Sequence, residues 1–455
     1  MNLEGKKVLV VGLGRTGEAL CRFLLSRKAR ITVSDKRQPE DLGDAVGLWT
    51  KRGVAIQAGS HRLSHFIESD LIVPSPGVPL LPELEKAKTA GIPVISEVEL
   101  AFRFLKGKIV GITGSNGKST TATLAHKILR DGQMDAYLAG NIGTPLISFV
   151  EDSAVHHIYV IELSSFQLEF IQHFSALAAV FLNLTPDHLD WHRSWNGYRE
   201  AKKKLIHRLK PEATAILNRD DPEVWTTADE TKARIWGFSR KEELEEGCSI
   251  KNGWIVLSDK SDIRVMEKTE IPLPGEHNLE NVMASILVAR LFSVPTDSIR
   301  RSILDFPGLE HRLERVLDLG GIDFYNDSKA TNVEATQTSI DSFDRKIVLI
   351  LGGRDKGGDF TKLKEQIKDR VKKIILIGEA KEIIRHALDN LVPFIDAGTL
   401  KEAVTAGFSS AAPGDVVLLA PGCTSFDMFT NFEERGTIFK KEVLALKKRI
   451  QNDRV

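Results

Sequence analysis

Two glycine-rich stretches, each set between an apolar run of strand length and an amphipathic helix, constrain this chain more than any other feature. The first is Gly12-Leu13-Gly14-Arg15-Thr16-Gly17, after the strand predicted over Lys7–Gly12. The second is Gly114-Ser115-Asn116-Gly117-Lys118-Ser119-Thr120, after the strand predicted over Ile109–Thr113. A strand that turns sharply into a helix aims backbone N–H groups and the positive helix end at one point, which suits phosphate. Such junctions belong to parallel sheets covered on both faces. Further strands are predicted at Arg30–Ser34, Leu71–Val73, Pro93–Ser96, Ile158–Glu162, Ala178–Asn183 and Ala213–Asn218. Shorter strands over Arg234–Val265 suggest a small antiparallel flank. A periodic helix is expected over His277–Phe292, then strands at Ile322–Tyr325, Ile347–Leu351, Lys373–Ile377 and Val416–Ala420. Gln451–Val455 are expected to fray.

The length of 455 residues suggests about three domains at about 150 residues each. A second α/β unit opens at Lys108 and a third near Phe306-Pro-Gly308, and boundaries near 97 and 308 give domains 1–97, 98–308 and 309–455. The fold class is α/β, with a Rossmann-like first domain and a central P-loop ATPase-like parallel sheet carrying the antiparallel flank. The last domain is again a Rossmann-like α/β unit. Lys+Arg and Asp+Glu are each 62, so the formal charge is zero. That argues against a nucleic-acid binder or a polybasic membrane surface. No apolar run approaches the ~18 residues of a membrane span. Lys6-Lys7 precede only Val8–Val11 before the glycines begin, too short a stretch for a signal peptide. Cys21, Cys248 and Cys423 lie far apart and form no disulfide framework, so a reducing cytoplasm is expected.

In the first loop, Gly12 permits the turn, Gly14 lets backbone approach a ligand and Gly17 lets helix and strand pack closely. Asp35 ends the second strand, where an acid binds a ribose hydroxyl. Alone, this reads as a dinucleotide site, or as a glycine turn with no ligand. In the second loop Lys118 would neutralise phosphate charge and the Ser119 hydroxyl would bind Mg²⁺. Ile112 stands where the standard G-x-x-x-x-G-K-[ST] pattern has glycine, so this is a shorter variant. Two phosphate loops on separate units imply two different nucleotides. An NAD-dependent dehydrogenase needs only the first, and a P-loop switch protein only the second.

Strand carboxyl ends line the crevice of an open parallel sheet. Glu162 and His188 therefore converge on the 114–119 loop as metal-ligand candidates; the alternative for Glu162 is a helix N-terminal acid. His192 reads as a surface histidine. Zinc on His188 and His192 has no cysteine nearby in sequence, so oxygen-rich Mg²⁺ ligation fits better. Of Lys202-Lys203-Lys204, most face water and one can point inward.

Gly111-Ile-Thr-Gly114-Ser-Asn-Gly-Lys118-Ser-Thr120 resembles the ATP loop of the Mur ligases, the amide-forming enzymes of the peptidoglycan stem peptide. Similar in the same order are Gly140-Asn141-Ile-Gly143, Glu162-Leu-Ser-Ser-Phe-Gln167, Asp187-His188-Leu-Asp190 and Tyr198-x-x-Ala-Lys202. His277-Asn278-x-x-Asn281, Glu310-His311-Arg312 and Asn326-Asp327-Ser-Lys329-Ala-Thr331 follow. The matches run from residue 12 to 436, nearly the whole chain. Ser75-Pro-Gly77, Asn326–Asn332, Gly352-Gly-Arg-Asp-Lys356 and Ser425–Gly436 resemble most the members that add D-glutamate to UDP-N-acetylmuramoyl-L-alanine. The Asp-Asn-Pro-Arg motif of the diaminopimelate- or lysine-adding relatives is absent from the C-terminal domain. Folylpolyglutamate synthase shares the ATP loop but not the first domain. Another Mur ligase with a different amino acid remains the nearest alternative.

The resemblance implies a monomeric cytoplasmic enzyme that activates the alanine carboxylate as an acyl phosphate. ATP would be held by Gly114, Ser115, Asn116, Gly117, Lys118, Ser119, Thr120, Asn278, Asn281, Arg312 and Asp327. The UDP substrate would meet Arg15, Thr16, Asp35, Arg37, Ser75, Gly77, Asn141 and His188. D-Glutamate would meet Lys329, Thr331, Lys356, Ser425, Phe426 and Phe432, with Phe426 where relatives often carry leucine. Two Mg²⁺ ions would use Ser119, Glu162, His188 and Lys202 as a carbamate, and Lys118, His188 and Lys202 would be the catalytic residues. Linkers near 97 and 308 would act as hinges.

Overall fold

The structure, a computed structural model, describes residues 1–259, 261–389 and 391–452, the side chains of Asp190 and Asn452 excepted. Near the N-terminus, β1 (Lys7–Val11), β2 (Arg30–Asp35), β3 (Ala55–Ala58) and β4 (Leu71–Pro74) form a parallel sheet in the order β3-β2-β1-β4. Successive side chains of a strand face opposite sides. Val8 and Val10 accordingly join Leu20 and Leu24 of the helix Arg15–Ser26 in one core, while Leu9 and Val11 pack with Phe66 and Leu84 in another. Gly12 has φ +92°, and a Cβ on Gly17 would lie 2.1 Å from the Gly12 carbonyl oxygen. Those two glycines are demanded by the fold. Gly14 is not, because a Cβ there meets nothing within 4 Å.

The expected strand at Pro93–Ser96 is only an isolated bridge between Val94 and Ile72. The chain leaves β4 at once, and the Ser96 N–H donates to the Phe170 carbonyl as the helix Glu97–Phe102 begins. That segment is no slack linker. Glu99 is fully buried and accepts the backbone N–H groups of Gln172, His173 and Phe174 at 2.8–3.1 Å and Arg103 Nε at 2.9 Å. Burial alone would raise its pKa, but these donors outweigh it and hold the carboxyl below the usual range. Glu97, also buried, accepts the Ile147 N–H at 2.6 Å.

The second sheet contains β5 (Lys108–Thr113), β6 (Ala136–Gly140), β7 (Ile158–Glu162), β8 (Ala178–Phe181), β9 (Thr214–Asn218), β10 (Arg234–Ser239), β11 (Gly247–Lys251), β12 (Trp254–Asp259) and β13 (Ser261–Glu267). Its order is β13-β12-β11-β10-β9-β8-β5-β7-β6. Pairing is parallel from β6 to β11 and antiparallel at β12 and β13. The antiparallel flank thus begins later than the sequence suggests, since β10 and β11 extend the parallel sheet. β5 lies between β7 and β8, so the loops after β5, β6, β7 and β8 share one carboxyl edge, where such sheets bind ligands.

The third sheet runs β14 (Glu314–Leu319), β15 (Ile322–Asn326), β19 (Val416–Leu419), β16 (Ile347–Gly352), β17 (Val371–Ile377), β18 (Phe394–Asp396), with only β14 antiparallel. Gly320 and Gly321, both at positive φ, make the β14–β15 turn. The final helix spans Phe432–Asn452, so of the stretch expected to fray only Gln451 and Asn452 are seen, in helix; residues 453–455 lie outside the description. Near its start, Arg435 is buried. Its guanidinium donates to the carbonyls of Ser328 and Cys423 at 2.8–3.2 Å and to Ser328 Oγ at 3.0 Å. Burial brings this arginine down to about 10. Chain contacts gather into two compact units, Met1–Glu270 with Leu279–Leu304, and Ile271–Asn278 with Asp305–Val455. The first two sheets fall in one of these units and the third sheet in the other. Among the described residues, no helix is long and apolar enough to cross a membrane.

Burial raises the Glu97 carboxyl from 4.5 to about 7, against the opposing pull of the Ile147 N–H. A carboxyl raised by folding contributes its full stability below its unfolded pKa and loses it as pH climbs through the folded value. Wild-type stability should fall by about 3 kcal/mol from this group between pH 4.5 and 7. Glu97→Gln keeps the acceptor for Ile147 and should remove that slope, which urea unfolding across this pH range measures.

Candidate active site

A cleft of about 400 Å³ opens at the carboxyl edge of the first sheet and reaches the end of β6. Gly12, Gly14, Arg15, Thr16, Asp35, Arg37, Ser75, Gly77 and Asn141 line it. Asp35 does not present a free carboxylate. Its Oδ2 accepts the Leu13 N–H at 2.7 Å and Arg37 Nη2 at 2.7 Å, and its Oδ1 accepts the N–H and Nε of Arg37 at 2.9 and 3.0 Å. Burial would raise this acid, but the Arg37 guanidinium and these N–H groups bring it down to about 2. Asp35 therefore fixes the glycine loop and orients Arg37. Arg15 donates from Nη1 to the Gly143 carbonyl at 2.8 Å, and Ser75 Oγ donates to the Gly12 carbonyl at 3.1 Å. Lys36 and His61 also line the cleft, His61 with Nδ1 2.8 Å from Ser34 Oγ. The sequence reading missed both, since neither sits in a recognisable motif.

The loop after β5 starts with Gly114 at φ +155° and reaches the helix Lys118–Asp131 through Gly117 at φ +82°. A Cβ on Gly117 would lie 2.2 Å from Asn281 Oδ1. Asn281, buried on the helix Glu276–Leu291, also accepts Thr121 Oγ1 at 3.2 Å, so its amide closes on the loop. Ser115 Oγ donates to the Thr185 carbonyl at 2.9 Å and lies 2.9 Å from the Tyr198 hydroxyl. The Asn116 N–H donates to Asn183 Oδ1 at 2.8 Å. Ser119 and Thr120 are buried in the first helical turn. Lys118 Nζ bends back to the carbonyls of Gly114 and Ser115 at 2.9 and 2.7 Å.

A second lysine meets the same carbonyl. Lys202, on the helix Trp195–His207, is 1 % exposed, and its Nζ donates to Gly114 O at 2.6 Å over the Tyr198 ring. Burial, then the nearby Lys118 charge, drives this amine well below its ordinary range despite Asp187 and Glu162. Lys203 and Lys204 turn elsewhere, to Glu230 and Glu169.

Glu162, at the end of β7, is 2 % exposed. Its Oε1 accepts Asn141 Nδ2 at 2.8 Å, while its buried Oε2 has no hydrogen-bond partner. An orphaned carboxylate oxygen next to a phosphate-type loop with a serine at its helix start fits a hard cation. Among the described residues no three His, Cys, Asp or Glu gather to hold a metal by themselves. His188 adopts φ +50°, unusual for a side chain with a Cβ. Its half-exposed ring lies 4.8 Å from that of Phe166, and Nε2 is 3.5 Å from Asp187 Oδ2. His192 is not a surface residue: it is buried, stacked on Phe166, with Nε2 2.9 Å from Ser165 Oγ. The Asp190 side chain lies outside the described residues.

The remaining candidates cluster at strand ends of the third sheet or in the segment grouped with it. Asp327 follows β15, is buried, accepts Ser339 Oγ and has its carboxyl raised by burial against the charges of Arg312 and Lys329. Arg312 Nε is buried without a hydrogen-bond partner. Asn278 Nδ2 donates to the Pro274 carbonyl at 2.6 Å. Exposed Lys329 holds Nζ 5.3 Å from the Phe432 ring centre, and the Thr331 N–H donates to the Lys329 carbonyl. Ser425 is buried, Lys356 is exposed on the loop after β16, and Phe426 is 59 % exposed.

Three family models match in chain order: Mur ligase MurD-like, N-terminal domain, over residues 6–96; Mur ligase middle domain, over 112–289; and Mur ligase, glutamate ligase domain, over 311–423. The UDP-N-acetylmuramoylalanine–D-glutamate ligase of Acidobacterium capsulatum is 47 % identical over 449 residues, 98 % of this chain and 97 % of that one. Its counterpart from Koribacter versatilis is 42 % identical over 445 residues, 97 % of this chain and 98 % of that one. The MurF ligase of Thermotoga maritima, solved in complex with ADP, shares the fold at a TM-score of 0.58 and 16 % identity, covering 100 % of this chain and 96 % of that one. With three family models matching in chain order and nearly half its residues shared with a full-length relative, the chain belongs to the Mur ligase family.

Proposed function

We propose that this ligase joins D-glutamate to the alanine carboxylate of UDP-N-acetylmuramoyl-L-alanine. Mur ligases use ATP, and here ATP would convert that carboxylate into an acyl phosphate. The glutamate amine then attacks the carbonyl, and phosphate leaves. The substrates are those named for the relatives at 42–47 % identity. The single observation that carries the chemistry is the meeting of Lys118 and buried Lys202 at the Gly114 carbonyl.

Residues 1–97 would bind the uridine diphosphate, with Arg15, Thr16, Arg37, Ser75 and Gly77 facing it, Asp35 holding Arg37, and Asn141 and His188 toward the sugar. Gly14 supports this, since no protein atom explains its missing side chain. Residues 98–308 would carry out the reaction. Gly114 to Thr120 would cradle the triphosphate, Lys118 swinging from the loop carbonyls to its outer charge, while Asn278, Asn281, Arg312 and Asp327 would serve the adenosine. Residues 309–455 would bring D-glutamate, its two carboxylates meeting Lys329, Thr331, Lys356 and Ser425, with Phe432 and Phe426 beside them.

A neutral buried amine is a nucleophile for CO₂: nitrogen bonds to carbon, a proton leaves, and an anionic carbamate with two oxygens remains. Lys202 is suited to that change by its burial. Ser119, the free oxygen of Glu162, His188 and this carbamate would hold two Mg²⁺ ions, which neutralise phosphate charge when bound. We place the enzyme in the cytoplasm, in keeping with three free, buried cysteines.

An amino-acid panel measuring phosphate release with ATP and UDP-N-acetylmuramoyl-L-alanine should respond to D-glutamate and not to L-glutamate, L-lysine or diaminopimelate; a response to another member instead refutes the substrate. Lys202→Ala should be nearly inactive and regain part of its turnover with a short carboxylic acid. Undiminished turnover in that variant would remove the carbamate. Gly14→Ala should raise KM for the UDP substrate several-fold at unchanged Tm, whereas Gly17→Ala should lose about 1–3 kcal/mol of stability through overpacking.

A further inference from the structure

Three consecutive lysines stand on the helix Trp195–His207, and each takes a separate direction. Lys202 enters the loop after β5, while its neighbours are gripped by two carboxylates from different parts of the fold. Glu230, closing the short turn Thr226–Glu230, accepts Lys203 Nζ at 2.8 Å on Oε1 and His207 Nε2 at 2.6 Å on Oε2. It thus holds positions i and i+4 of one helix face. Glu169, closing the helix Ser165–Glu169 that starts just after Glu162, takes Lys204 Nζ at 2.8 Å through both its carboxylate and its carbonyl. The Lys203 side chain is 6 % exposed, so its pair is not a surface ornament. Its partner Glu230 is 37 % exposed, and removing that carboxylate leaves the largely buried Lys203 ammonium uncompensated.

Successive helical residues point about 100° apart. A slip of one position would offer Lys203 or Ala201 to the Gly114 carbonyl in place of Lys202. Grips on 203 and 204, pulling toward different elements, oppose rotation in either sense. We infer that Glu230 is a positioning residue: by holding Lys203 and His207 it sets the rotation of the helix so that Lys202 alone of the three lysines delivers its amine to the Gly114 carbonyl and receives CO₂. This rests on the carbamate reading of Lys202.

The test compares wild type, Glu230→Gln and Glu230→Asp in phosphate release over a range of bicarbonate concentrations. ¹³C NMR after equilibration with labelled bicarbonate, and thermal unfolding, are measured on the same samples. Wild type should show a carbamate resonance. Glu230→Gln should lose about ten-fold in kcat with KM for ATP little changed, and need about ten-fold more bicarbonate to reach its own plateau. Glu230→Asp, which keeps the charge on a shorter arm, should fall between them, and it decides the matter if the glutamine variant does not fold. No carbamate resonance in wild type would overturn the reading of Lys202 itself. A wild-type resonance with unchanged bicarbonate dependence in the variants, whether or not their Tm falls, would overturn the positioning role.

Discussion

An amine shut away from water is costly to keep charged, and costlier when a second cation shares its hydrogen-bond acceptor. Lys202 and Lys118 meet that condition at one backbone carbonyl. The surrounding architecture makes sense as the means of holding it. Tyr198 lies under the Lys202 ammonium position and reaches Ser115, which in turn ties the loop to Thr185 after β8. Glu162 turns one oxygen to Asn141 and keeps the other unpartnered. A site with two lysines and an unsatisfied buried carboxylate is electrostatically incomplete, and under the function we propose a phosphate with a divalent ion would complete it.

The first sheet treats charge differently. There the acid that a dinucleotide fold would offer to a sugar is consumed internally by Leu13 and Arg37. What faces the cleft is a cationic and backbone surface, suited to diphosphate. The resemblance to a dinucleotide fold is one of topology, and the chemistry at the strand ends has been redirected. Glu99 anchors the start of the next domain with three N–H groups and an arginine, while the Ser96 N–H on the Phe170 carbonyl and Arg15 on the Gly143 carbonyl tie the first sheet's domain to it.

Much of this was legible in the sequence. Buried parallel strands appear as unbroken apolar runs, and β7 falls at Ile158–Glu162 as read from them. The turn glycines at 12, 17 and 117 answer to sterics that a motif encodes. Less legible were β3, β6, β14 and β18, short or half-exposed strands whose patterns are weak. β14 had a usable signal in Gly320-Gly321 between two alternating runs. His192 misled because partners that bury it, Phe166 and Ser165, come from another strand end, distant in sequence. The choice among Lys202, Lys203 and Lys204 rested on counting from Tyr198. Only the three-dimensional partners Gly114, Glu230 and Glu169 separate them.

Arg435 carries a different lesson, about which residues are free to drift over evolutionary time. Three of its four hydrogen bonds end on main-chain oxygens, two on Cys423 and one on Ser328. Every amino acid supplies that oxygen, so Cys423 can change identity without unfastening the clasp. The guanidinium has no such substitute, because a lysine has a single donor nitrogen and cannot span both loops at once. Invariance in this corner of the molecule should fall on the giver and not on the receivers.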